Sequence, residues 1–206
     1  MTRSAEVKAL VDLFEAEADR DRPERETPDV GIVMGSDSDL DTMYGAYEAL
    51  TQLGFEEVTD YDDPPESRFS FETFVVSAHR TPELMYAYSE TARERGLDVL
   101  IAGAGGKSAD LPNMTASVAY PLPVVGVPVQ EKSVDSVVGM PTGAPLVAVD
   151  AGKSFNAALS AVQILSRAHP ELEERLDAYH DDLQDGVGAV SARLHELGTE
   201  RFREGR

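Results

Sequence analysis

The stretch Val30-Gly31-Ile32-Val33-Met34-Gly35-Ser36-Asp37-Ser38-Asp39 (VGIVMGSDSD) joins an apolar run to a small polar one. Its first half is apolar throughout instead of alternating, so a strand here needs cover on both faces. Its second half breaks into glycine, serine and aspartate, and a helix is expected from about Asp39 to Leu53. The same design recurs along the chain. ETFVVSA (72–78), DVLIAGAG (98–105), PVVGVPV (123–129) and PLVAVD (145–150) read as further strands. Between them a helix opens at Thr81-Pro82, with proline at its first position, and SFNAALSAVQILSRA (154–168) is an Ala/Leu helix. Buried strands alternating with helices predict an α/β domain over 30–168, a three-layer, doubly wound, parallel five-stranded sheet.

Two extensions flank this domain. In residues 1–29, Val7, Leu10, Val11 and Phe14 recur at helical spacing, and the charged DRDRPERETPD that follows reads as a linker without an apolar anchor. In residues 169–206, Leu172, Leu176, Tyr179, Leu183, Val187, Val190, Leu194 and Leu197 form one apolar stripe on a long acidic helix, interrupted by Gly186 and Gly188. Within the domain, EEVTDYDDPPESRFS (56–70) reads as an acidic loop insertion.

The charge balance is extreme: 18 Lys plus Arg against 38 Asp plus Glu, a formal net charge of −20. Lys8, Lys107, Lys132 and Lys153 are the lysines; every other basic residue except histidine is arginine. Such a surface suits a protein kept soluble in high salt, where self-repulsion is screened; a merely acidic protein is the plainer alternative. Binding to nucleic acid or to an anionic membrane is disfavoured. With no cysteine, disulfides, thiolate metal sites and cysteine nucleophiles are excluded. The N-terminus has no signal-peptide pattern and no segment approaches a membrane span, so a cytoplasmic location is expected.

In open parallel sheets ligands bind beyond the carboxyl ends of the strands. Three such ends are rich in small polar residues: GSDSD (35–39), SAHR (77–80) and AGAGGKS (102–108). Gly35 lets backbone approach a ligand, and Ser36 and Ser38 offer hydroxyls near a helix start that attracts anions. Asp39 can accept from sugar hydroxyls. The same residues are also ordinary helix-cap residues. His79 is suited to deliver and retrieve a proton near neutral pH, or simply to face water at a helix start; Arg80 can hold an anion bidentately. The glycines of the third segment offer backbone N–H groups, or only a tight turn. His169, His180 and His195 read as surface residues. The chain lacks the P-loop spacing, the GxGxxG fingerprint after its first strand, the GxSxG elbow and any metal-ligand spacing.

Taken together, VGIVMGSDSD, VVSAHRTP, IAGAGGKSADLPNM, VVGVPV and NAALSAVQIL resemble the N5-carboxyaminoimidazole ribonucleotide mutase family, from about Val30 to Leu165. The resemblance implies a flavodoxin-like fold, a homo-octamer, and no metal, ATP or biotin. It implies an isomerase of purine biosynthesis that moves a carboxylate from the exocyclic nitrogen of an aminoimidazole ribonucleotide to ring carbon C4. It places Ser36 and Asp39, with Ser38 nearby, on the phosphate and ribose. It makes His79 the catalytic acid/base and Arg80 a phosphate ligand, with Gly35, Ser77 and Ala78 beside them. Ala104, Gly105 and Gly106 would close over the base and its carboxylate. The chain departs from the family where the usual GGAAHLPGM turn reads GGKSADLPNM, adding Lys107 and setting Asp110 in place of a histidine. Asp110 is therefore expected to pair with Lys107 or to hydrogen-bond His79. A carboxylase using free carbon dioxide, a carboxylase of another aromatic nucleotide and a non-catalytic nucleotide-binding protein are the competing readings.

Overall fold

The computed structural model describes residues 4–205, so the outermost positions of the two extensions, residues 1–3 and 206, lie outside it. Its frame is an all-parallel, six-stranded sheet: β1 (Val30–Met34), β2 (Glu56–Glu57), β3 (Ser70–Val75), β4 (Val99–Ala104), β5 (Val124–Pro128) and β6 (Val147–Ala148), in the order β2-β3-β1-β4-β5-β6. Central β1 pairs with β3 on one side and β4 on the other, Ile32 standing opposite both Thr73 and Ile101. Successive side chains of a strand point to opposite faces. Ile32 and Met34 therefore enter the core made with α2 (Leu40–Gln52) and α6 (Ser154–Leu165). Val33 enters the core made with α1 (Ala5–Ala18), α3 (Pro82–Thr91), α4 (Leu111–Val118) and α5 (Val134–Val138). The doubly wound three-layer expectation holds.

The sheet has one strand more than expected. The first two residues of the acidic insertion form β2, an edge strand whose exposed glutamates pair with Ser70 and Phe71 through backbone alone. The C-terminal strand, expected over 145–150, pairs with β5 only at Val147 and Ala148. Among the described residues, no helix is long and apolar enough to cross a membrane.

The N-terminal helix is sewn into the domain. Phe14 is fully buried and meets Phe74 and Tyr88 edge-on, with centroids 4.9 and 5.2 Å away. The charged segment after it is held by ion pairs in place of an apolar anchor. Arg22 binds Glu17 at 2.9 Å, and Arg20 and Arg22 reach Asp62 of the insertion at 2.6 and 3.1 Å. One residue earlier, the Tyr61 hydroxyl donates to Glu72 on β3, whose other oxygen takes Arg95 at 2.6 Å.

The tail forms α7 (Pro170–Leu197), followed by α8 (Thr199–Glu204). Gly186 and Gly188 do not break α7. Its stripe is divided: Leu172, Leu176 and Tyr179 pack on the domain, while Leu183, Val187, Val190, Leu194 and Leu197 are exposed.

Candidate active site

The carboxyl ends of β1, β3 and β4 meet in a cleft of about 510 Å³. It lies where the strand order reverses, between β1 and β4, the position at which open α/β sheets take ligands. Gly35, Ser36, Ser38 and Asp39 line it from the first loop, Ser77, Ala78, His79 and Arg80 from the second, and Ala104, Gly105, Gly106 and Asp110 from the third.

In the first loop, Ser36 opens a single 3-10 turn (Asp37–Asp39) that runs into α2. Its hydroxyl accepts the Ser38 N–H at 3.4 Å and donates to Asp37 at 3.0 Å, so the cap role is real and coexists with a place on the cleft wall. Asp39 is buried beneath the cleft. Burial pushes its carboxyl above the usual range, against the backbone N–H groups of Ser36 and Gly105 and the charge of Arg80. A desolvated acceptor of this kind is suited to hydroxyl donors.

The second loop is a tight turn. Thr81 Oγ1 accepts the Ser77 N–H at 2.9 Å, and Ser77 Oγ accepts the Arg80 N–H at 3.2 Å. Arg80 Nη2 donates to the Gly35 carbonyl at 2.7 Å, which ties the first two loops together. His79 is 59% exposed, open to a ligand, and its Nε2 lies 3.0 Å from Asp110 Oδ2. Of the two partners expected for Asp110, the structure therefore provides His79.

The third loop needs its glycines. A Cβ on Gly105 would stand 3.0 Å from Asp39 Oδ1, and Gly106 has φ +87°, a conformation side chains disfavour. The Gly106 carbonyl accepts from Ser133 Oγ at 2.8 Å, which fixes the turn against the loop after β5. Lys107 is exposed, between Gly106 and Ser108 of the cleft wall. The lysine on the wall itself is Lys132.

Ser108, Leu111, Gln130 and Lys132, not singled out from the sequence, also line the cleft. The signal for the last two was present: VPVQEK ends a fourth strand adjacent to β4, and the strand-end rule applies to it equally. His180 and His195 are exposed on α7, as expected. His169 is instead half-buried, its ring edge-on to Phe69 at 5.2 Å.

Comparison with known proteins bears on the family and the fold. The model of the AIR carboxylase family matches residues 29–186, so the family region extends past Leu165 into α7. An N5-carboxyaminoimidazole ribonucleotide mutase of Mycobacterium tuberculosis (strain H37Rv) is 45% identical over 188 residues, covering 88% of this chain and 99% of that protein. The mutase of Aquifex aeolicus is 49% identical over 156 residues, 73% of this chain and 84% of its own. Among solved structures, Treponema denticola PurE superposes with a TM-score of 0.65 at 22% identity, covering 80% of this chain and 97% of that one, a likeness of fold. By the extent of the family match and the identity to these relatives, the chain belongs to the AIR carboxylase family.

Proposed function

We propose that this protein is an N5-carboxyaminoimidazole ribonucleotide mutase of purine biosynthesis. The observation that carries the reading is a single accessible imidazole, His79, lining one cleft together with Arg80 and the buried carboxylate of Asp39. The chain's relatives of that name support it across most of its length.

Arg80, with the Ser36 and Ser38 hydroxyls, holds the substrate's phosphate; Asp39 takes the ribose hydroxyls. The turn of Ala104, Gly105 and Gly106 lies over the imidazole ring and its carboxylate. Protonated His79 donates to the carbamate nitrogen as the N–C bond breaks, and its electron pair stays on nitrogen while carbon dioxide is released. Ring carbon C4 attacks that carbon dioxide, forming the new C–C bond. Neutral His79 then removes the C4 proton, and the ring regains aromaticity. The histidine ends as it began, so no net proton is consumed. Holding carbon dioxide beside C4 is a proximity effect worth several kcal/mol.

The assembly proposed is a homo-octamer, supported by five large apolar residues left exposed on α7. A cytoplasmic, high-salt setting is supported by the net charge of −20.

The test is a spectroscopic assay with the carboxyamino ribonucleotide, in parallel with the uncarboxylated ribonucleotide plus bicarbonate. Turnover of the first is expected. Turnover only of the second would make the protein a carboxylase, and binding without turnover a nucleotide-binding protein. His79→Asn is expected to fold and to lose about 10²–10⁴ in rate, the usual worth of a general acid/base. A variant within a few-fold of the parent would remove His79 from the chemistry.

A further inference from the structure

We propose that Asp110 and Ser136 form a clamp that fixes which nitrogen of His79 meets the substrate: Nε2 is held, and Nδ1 moves the proton. The inference rests on the reading of His79 as the proton carrier.

An imidazole has two nitrogens, and the partner of one decides the role of the other. Here Nε2 lies 3.0 Å from Asp110 Oδ2. A carboxylate's negative charge at this distance favours a proton on the nitrogen nearest it, so Nε2 keeps its proton whether the ring is neutral or cationic. The nitrogen that changes state is then Nδ1, which has no protein partner among the described residues. Donation to the carbamate nitrogen and removal of the C4 proton thus occur at one atom. That suits a reaction in which a single proton leaves and returns.

The clamp itself is braced from behind. The second oxygen of Asp110 accepts from Ser136 Oγ at 3.0 Å, so the carboxylate is held at both ends. Ser136 sits on α5, and its carbonyl accepts from Asn113 Nδ2, on the first turn of α4, at 2.7 Å. Asp110 immediately precedes α4. The pairing of α4 with α5 therefore sets the carboxylate, and the carboxylate sets the ring. Ser136 is not on the cleft wall; it is a positioning residue, acting through Asp110.

The chain's four histidines make the ring directly observable. With 15N-labelled histidine, long-range 1H–15N spectra distinguish the two neutral tautomers, and His79→Asn assigns the His79 signals. The parent is expected to show the Nε2–H form alone, and Asp110→Ala a mixture of both. In the mutase assay, Ser136→Ala is expected to lower kcat about 10-fold or more at nearly unchanged KM, the scale of a misplaced catalytic group; Ser136→Thr, which keeps the hydroxyl, restores it. A parent ring in the Nδ1–H form overturns the proposal. So does a tautomer pattern that Asp110→Ala leaves unmoved, or a Ser136→Ala variant that changes KM alone or nothing. Because the tautomer is read without turnover, an inactive parent would overturn the mutase reading and leave the clamp to be judged by its spectrum.

Discussion

Glu72→Gln is expected to unsettle the fold while leaving the chemistry alone. Glu72 and Arg95 are 0% and 1% exposed and pair at 2.6 Å. Arg95 is further enclosed by the rings of Phe14 and Tyr88, at 4.7 and 4.6 Å from its guanidinium carbon, and bonds the Tyr88 carbonyl and Thr91 hydroxyl. Glutamine keeps the shape and removes the charge, so it strands a guanidinium that has no route to water. Breaking a buried pair in this way costs about 3–5 kcal/mol. At a urea slope of about 1–3 kcal/mol/M, the unfolding midpoint falls by roughly 1–3 M or more. Replacing both partners, as Glu72→Leu with Arg95→Met, removes the stranded charge and is expected to recover most of the loss. The assay is urea unfolding followed by circular dichroism, with mutase turnover measured below the transition. Glu72 lies on the half of the sheet away from the cleft, so kcat of the folded variant stays at the parent value. A loss under ~1 kcal/mol, or a double variant as weak as the single one, would show that the buried charge is not stranded.

Other consequences follow from particular residues. Asp29 is buried, accepts the Ser70 N–H at 2.7 Å, and has its carboxyl pushed by burial from 3.8 to about 6. The native state thus binds this proton more tightly than the unfolded chain, and stability is lost as pH rises from about 4 through 6. Asp29→Asn should therefore gain on the parent across that window, by on the order of 2–3 kcal/mol at 1.36 kcal/mol per pH unit; a difference that does not change with pH would count against it. Removing residues 180–206 takes away the exposed half of the α7 stripe, and light scattering should show a smaller assembly with the fold retained; an unchanged assembly would make that half dispensable. Finally, with the net charge at −20, the melting temperature should rise with salt as the Debye length shrinks from about 30 Å at 0.01 M to about 3 Å at 1 M. A flat or falling trend would contradict the high-salt setting.

The parts of the fold legible in the sequence are those fixed by local pattern. Val30–Met34 and Val99–Ala104 are apolar without alternation, and they are the central strands, buried on both faces. The cleft was legible for a related reason: glycine, serine, histidine and arginine at the end of an apolar run have few structural uses other than a turn or a site. What escaped depends on partners distant in sequence. Glu56 and Glu57 look like loop because their strand is made by backbone bonds to β3, such as Val58 N–H to Phe71 carbonyl at 2.7 Å, with no apolar side chain involved. Tyr61 and Asp62 look like solvated insertion, yet each is anchored by residues 11 to 42 positions away. Ser136 carries no signal at all until α4 and α5 are packed.

The two ends of the sheet use polar residues in opposite ways. At the carboxyl ends, His79 and Arg80 stay exposed, and the polar groups there face an open cleft. Toward the amino ends, polar groups are paired with one another: Arg95 with Glu72, Arg22 with Glu17, and Arg68 with Glu24 and Asp29. Arginine is the residue suited to that second task, because its planar fork meets carboxylates in fixed geometry and it does not lose its proton on burial. A chain with 38 acidic residues and only 18 basic ones has few cations to distribute. Here several of them tie the N-terminal helix and the acidic insertion onto the sheet. Salt screens exposed pairs strongly and buried ones much less. The sealed Arg95–Glu72 pair thus persists at ionic strengths where the exposed Lys8–Asp12 pair, at 64% and 53% exposure, contributes almost nothing. The charged parts of the N-terminal segment and the insertion are therefore tied together near the amino ends of the strands, away from the loops that line the cleft.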